Sequence, residues 1–136
     1  MSKIIIATGN EGKFLELSKL LKMSGFEFVR PEVDLNVEET GGNFADNALL
    51  KAKYAYETTG ITSIADDSGL EIEALDGFPG IFSARCAGEN ASGEEKVNFI
   101  LEKMNGIENR NASFVCALAI VTYNFRICHV GVRNFI

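Results

Sequence analysis

A chain of 136 residues with 19 acidic and 13 basic side chains, net charge −6, is not built to hold duplex nucleic acid through a basic surface. With 46% apolar and 24% charged residues its composition is ordinary for a globular protein, and its length suits a single domain with its own core. Cys86, Cys116 and Cys128 form no Cys-x-x-Cys pair and His129 is the one histidine, which excludes a structural zinc site and a disulfide framework and makes a reducing cytosol the expected compartment.

Lys3 to Ala7 reads as a short buried strand, β-branched and bounded by Thr8-Gly9-Asn10. The run is too short for the apolar stretch of a signal peptide or for a membrane span. A helix is expected from Glu11 to about Met23, with Phe14, Leu17, Leu20 and Leu21 on one face and Ser24-Gly25 as its stop. A strand that turns through Gly9 into a helix start is an anion site. The first-turn N–H groups, those of Glu11 and Gly12 among them, and the helix dipole both favour phosphate. Lys13 lies in that turn as a point charge. The same pattern also describes a plain strand-to-helix turn with a solvated lysine. It is not a P-loop, because Ala7 and Phe14 stand where that motif needs Gly and Ser or Thr.

Phe26 to Arg30 is the second expected strand, stopped by Pro31. The polar loop Pro31 to Asn43 carries Glu38 and Glu39 just ahead of a helix start, where an ion can be held. The helix itself covers Phe44 to Thr59, with Asn43 as N-cap and Asp46 in the first turn. Phe44, Ala48, Ala52 and Ala55 line its packed face, and Gly60 closes it. Asn47 and Lys51 are four apart and share a face, either toward a site or along a solvated edge.

Ile61 to Ala65 reads as a third strand, broken by Asp66 and Asp67, with Leu70 to Ala74 as a fourth. Inside a strand the two aspartates would face opposite ways. At a strand end, with Ser68-Gly69 turning the chain, both reach one side. Touching carboxylates raise each other's pKa unless a cation neutralises them. Two resolutions stay open: a hard ion such as Mg²⁺, or a turn in which the aspartates accept backbone N–H groups. A long loop follows, containing Gly77-Phe78-Pro79-Gly80, and Arg85 there either meets a phosphate with its fork of donors or ends a surface turn. Ser92 and Glu95 form a capping-box pattern for a helix to about Met104. Ala112 to Tyr123 is a long apolar strand, Asn124 marks a turn, and the remainder to Ile136 is its hairpin partner. Alternating strands and helices followed by a hairpin predict an α/β fold with a mixed sheet. Ser68 as a nucleophile is set aside, since no Gly-x-Ser-x-Gly elbow is present.

Four stretches come in order: Thr8-Gly9-Asn10-x-x-Lys13; Glu38-Glu39-Thr40-Gly41 with Phe44, Asn47-Ala48 and Lys51-Ala52; Ala65-Asp66-Asp67-Ser68-Gly69-Leu70; and Pro79-Gly80-x-x-Ser83-Ala84-Arg85. Together, over about residues 3–122, they closely resemble the Ham1 family, the inosine/xanthosine triphosphate pyrophosphatases. The resemblance implies a twisted mixed sheet flanked by helices, in a two-lobed architecture with the site in a cleft. It implies Mg²⁺-dependent cleavage of ITP, dITP and XTP to the monophosphate and pyrophosphate, which clears damaged purines from nucleotide pools. It also implies a cytoplasmic homodimer. By motif, Thr8, Gly9, Asn10, Glu11, Gly12 and Lys13 would hold the triphosphate. Glu39 and Asp67 would bind Mg²⁺ with Glu38 as a helper, and Asp67 would also activate water. Ser68 would touch the substrate, with Asn47, Lys51, Asp66 and Arg85 around the site.

The family's later motifs, Gly-Phe-Gly-Tyr-Asp-Pro, a lysine and Ser-His-Arg, bind and select the purine base, and none occurs here. The chain is therefore expected to be a C-terminally truncated domain that keeps the triphosphate and metal residues and has lost or degraded base selection. One alternative is an inactive remnant that only binds nucleotide or a partner chain. Another is a nucleotide pyrophosphatase with a different base choice. Open sheet edges or apolar surface would drive self-association through Val115 to Val121.

Overall fold

The computed structural model describes residues 2–22, 25–31, 40–124 and 126–135. Glu38 and Glu39, the expected helix end at Met23 and Ser24, and the hairpin residues Phe125 and Ile136 lie outside the described residues.

Three consecutive isoleucines make β1 (Lys3–Ile6) a buried strand. After it, Asn10 caps α1 (Glu11–Leu20). Phe14, Leu17 and Leu21 are half-buried. Leu20 departs from its expected place: it is 72% exposed, because at 3.6 residues per turn it lies off the stripe of the other three. A short β2 (Glu27–Val29) runs parallel to β1. The helix α2 (Phe44–Thr59) has the expected bounds, with the Asn43 side chain accepting the Asp46 N–H and Gly60 in the left-handed conformation at its end. Its stripe of Phe44, Ala48, Ala52 and Ala55 is buried, and the three alanines are fully so.

The expected break at the acidic pair does not occur. One strand, β3 (Ser63–Ile72), runs through Asp66, Asp67, Ser68 and Gly69 before a 3-10 turn at Glu73–Leu75. The long loop after it contains a 3-10 helix, Gly80–Arg85, reached through Gly77, whose φ of 87° suits glycine. Ser92 and Glu95 form the capping box that starts α3 (Gly93–Lys103). The hairpin strands are β4 (Ala112–Val121) and β5 (Arg126–Phe135).

The strands are hydrogen-bonded in the order β2-β1-β3-β4-β5. β1 is parallel to both neighbours. The Thr62 and Thr122 hydroxyls meet at 2.7 Å while the Glu73 N–H donates to the Asn111 carbonyl, so β4 runs antiparallel to β3. The short connection from β4 makes β5 antiparallel as well, with Ser113 Oγ donating to Asn134 Oδ1 at 2.7 Å. The sheet is thus mixed, as expected.

By packing, the chain divides into two compact units, Met1–Asp67 with Ala117–Val130, and Ser68–Cys116 with Gly131–Ile136. The first has a core of β1, the α2 alanines, Ile64, Ala65, Ala117, Ala119 and Val121. The second buries Ile72, Pro79, Met104 and Val115. There Phe78 and Phe99 meet at 6.3 Å with the Lys103 ammonium over both rings. The placement of self-association at Val115 to Val121 is corrected: β4 lies between β3 and β5, and Val115, Ala117, Ala119 and Val121 are buried.

Candidate functional site

The turn after β1 is built by its own side chains. The Ala7 N–H donates to the Ile64 carbonyl at 2.8 Å, the last hold of the sheet on this segment. Thr8 Oγ1 then accepts the Asn10 N–H, and Asn10 Oδ1 accepts the Lys13 N–H, each at 3.1 Å. The first bond of the helix ladder runs from the Phe14 N–H to the Asn10 carbonyl. The Glu11 and Gly12 N–H groups precede that bond and lie at the positive end of the helix dipole. A Cβ on Gly12 would sit 3.3 Å from Asn10 Oδ1 and crowd the cap, whereas the space beside Gly9 is open. The Glu11 carboxylate pairs with Arg30, whose guanidinium stacks 4.6 Å above Phe14. Glu11 therefore offers this turn its backbone.

Lys13 Nζ lies 3.0 Å from Asp66 Oδ2. This is the contact that joins two of the sequence motifs, the Thr-Gly-Asn turn and the acidic pair. β3 runs unbroken through Asp66 and Asp67. They are 7% and 8% exposed, and a carboxylate that buried needs compensation. For Asp66 Lys13 supplies it. The expectation that Ser68 and Gly69 turn the chain is overturned, because the strand runs on through both. β1 pairs at Ser63 and Ile64, and beyond Gly69 the Leu70 N–H is bonded, so the strand is held on both sides of the pair.

Asn47 is 1% exposed, and its Oδ1 accepts the Gly41 N–H at 2.7 Å. It thus ties the approach to α2 onto the helix. Gly41 has to be glycine there, since a Cβ would fall 2.6 Å from Asn47 Oδ1. Asn47 Nδ2 is buried without a hydrogen bond to the described residues. Lys51 follows one turn later, half-buried.

In the second unit Ser68 is half-buried on β3. Arg85 is exposed at the end of the 3-10 helix, its guanidinium 5.4 Å from the Phe82 ring. Ser83, which local pattern did not single out, is bonded here to Leu70 and Gly80, and Gly69, expected to turn the chain, instead stays in β3 and lets Ser83 approach. Ser83 lies in the Pro79-Gly80-x-x-Ser83-Ala84-Arg85 stretch, and the one sequence signal for its contact is a glycine in mid-strand. Elsewhere in this unit, hydrogen bonds from Asn111 and Asn109 hold the Glu73 carboxyl below its ordinary value. In the first unit, burial raises the Cys128 thiol pKa above its ordinary value, with Asp46 adding to the effect.

Among the described residues no three histidine, cysteine, aspartate or glutamate side chains gather as a metal site. The donor chemistry of Asp67 suits Mg²⁺, which takes one or two carboxylates and completes its shell with water and substrate phosphates. It does not suit zinc, which prefers sulfur and imidazole in closed sites.

The model of the Ham1 family matches residues 4–132. A dITP/XTP pyrophosphatase of Photobacterium profundum is 45% identical over 128 residues, 90% of this chain and 64% of that protein. The chain thus spans a little under two thirds of that curated relative. A HAM1 protein from Coxiella burnetii superposes with a TM-score of 0.90 at 36% identity, covering 98% of this chain and 72% of the other. The Ham1 protein of Staphylococcus aureus gives 0.86 at 37% identity, covering 98% and 70%.

Proposed function

The chain belongs to the Ham1 family, and on that premise we propose that it hydrolyses non-standard purine nucleoside triphosphates, ITP, dITP and XTP, to the monophosphate and pyrophosphate. The observation that carries the proposal is the Lys13–Asp66 contact, which ties a capped helix start to the strand bearing Asp67. The name of the Photobacterium relative supports the choice of substrates.

In this mechanism the Glu11 and Gly12 N–H groups and the Lys13 ammonium receive the phosphates. Asp67 accepts a proton from the attacking water and aims it at the α-phosphorus. The bond from that phosphorus to the bridging oxygen breaks, and pyrophosphate leaves. The Ser68 hydroxyl and Arg85 contact the substrate. Mg²⁺, held by Asp67 with Glu39, would supply neutralisation of the phosphate charge. The proposal also places the protein in the cytoplasm as a homodimer, supported by three widely spaced cysteines with no Cys-x-x-Cys pair and by the exposed residues of β5. Among the described residues no helix is long and apolar enough to cross a membrane.

A second reading rests on the 64% coverage of the relative: this stretch holds triphosphate and metal, and the choice of base rests on residues outside it. The test is pyrophosphate release from ITP, dITP, XTP, GTP and ATP with Mg²⁺, for the parent and for Asp67→Asn. Strong preference for the non-standard purines supports the first reading, and equal turnover of all five the second. In either case Asp67→Asn is expected to lower turnover by about 10²–10⁴-fold with nucleotide binding retained. A variant with parental turnover would remove Asp67 from the chemistry.

A further inference from the structure

We infer that Ser83 is a positioning residue, whose single hydroxyl fixes both the strand segment that follows Asp67 and the 3-10 helix that carries Arg85. The inference rests on the proposed function, in which Ser68 and Arg85 touch the substrate.

The geometry lies wholly within the second unit. Ser83 Oγ accepts the Leu70 N–H at 3.0 Å and donates to the Gly80 carbonyl at 2.6 Å. A hydroxyl is the small side-chain group that can do both at once. Here it stands in for a neighbouring strand: an N–H of β3 is satisfied by a side chain arriving from a helical turn. Gly69 makes room for it. A Cβ on Gly69 would lie 2.4 Å from Ser83 Oγ and 2.7 Å from the Gly80 carbonyl oxygen. Buried Gly69 and half-buried Ser83 therefore form one closed contact.

Position along the chain gives this contact its consequence. Ser68 immediately precedes Gly69, and Arg85 follows Ser83 by two residues. Without the hydroxyl, Leu70 loses its acceptor and the first turn of the 3-10 helix loses a donor to Gly80. Both substrate-touching residues then become freer to move. Ser83 itself has no part in the proposed chemistry. It acts through Ser68 and Arg85, so its loss is expected to appear in the rate of the bound complex.

The experiment compares the parent with Ser83→Ala and Ser83→Thr, using ITP and Mg²⁺ at a temperature where circular dichroism shows all three folded. Ser83→Ala is expected to lower kcat about tenfold with KM within about twofold, because small misplacements at a reacting centre cost rate. Ser83→Thr, which keeps the hydroxyl, is expected to recover most of the loss. Parental kcat in folded Ser83→Ala, or a threonine variant as impaired as alanine, overturns the inference. Hydrogen exchange of the Leu70 amide is read on the same samples without nucleotide. Faster exchange in Ser83→Ala is expected, and unchanged exchange overturns the brace whatever the turnover. A parent that turns over no nucleoside triphosphate while its Leu70 amide responds to Ser83→Ala overturns the proposed function instead.

Discussion

Asp66 is the residue whose burial most needs an explanation, and Lys13 provides it. The carboxylate side chain is 10% exposed and the lysine's 35%, so the pair is screened on one side only. Removing one partner strands the other, which costs more than the pair gains by forming. Lys13→Ala is therefore expected to lower unfolding stability by about 1–3 kcal/mol, less than for a fully buried pair because Lys13 reaches water. Adding Asp66→Asn should restore part of that loss, and chemical denaturation of the four proteins of the cycle measures it. An additive cycle would show that the two side chains do not interact. Glu73 gives the pH counterpart. Asn111 and Asn109 donate to its carboxylate and lower its pKa in the folded chain. A lowered folded pKa adds stability above the unfolded glutamate's titration, near pH ~4.3, and the stability is lost as pH falls through the folded value. Glu73→Gln should thus trail the parent at neutral pH and converge with it in acid. Parallel pH–stability curves would contradict this.

At the scale of elements, what was legible in the sequence was whatever a local signal decides. Asn43, Asp46 and Gly60 mark both ends of α2, and Ser92 with Glu95 marks the start of α3. Caps are satisfied within one turn and need no distant partner. The four motifs likewise exposed the candidate residues, and the contact of Lys13 with Asp66 unites two of them. β3 was not legible, because Asp-Asp-Ser-Gly is turn composition and local propensity breaks the strand there. Pairing with β1 before the aspartates, and the Ser83 hydroxyl after Gly69, override that propensity through contacts distant in sequence. The side-chain engagement of Glu11 by Arg30 and of Asn47 by Gly41 was hidden for the same reason. Gly69→Ala tests this account of β3. Its Cβ would meet both Ser83 Oγ and a backbone carbonyl, and the carbonyl cannot swing aside as a side-chain end can. A loss of about 1–3 kcal/mol is expected in denaturant unfolding, and an unchanged midpoint would mean that the segment relaxes freely.

The whole molecule poses its problem at one edge of the sheet. Among the described residues the edge strands are β2 and β5. β2 is three residues long, a length that offers little template for pairing. β5 is ten residues long and exposed from Arg126 to Asn134, with Ile127, Val130 and Val132 between 45% and 60% exposed. Long apolar edges with open backbone groups recruit further strands. Arg126 and Arg133 temper that tendency near the two ends and leave the middle of the strand without lysine, arginine, aspartate or glutamate. Residues on both sides of β5 remain in water from Arg126 to Asn134, so association through this strand is the expected outcome. The parent is expected to self-associate in light scattering at high micromolar concentration. Val130→Lys should shift it toward monomer, since an edge lysine must be buried for a second strand to dock. A parent that stays monomeric would show that β5 is not a docking edge. A Val130→Lys variant that associates as strongly as the parent would move the contact to another surface, such as Leu15 and Leu20 on α1, which are 57% and 72% exposed.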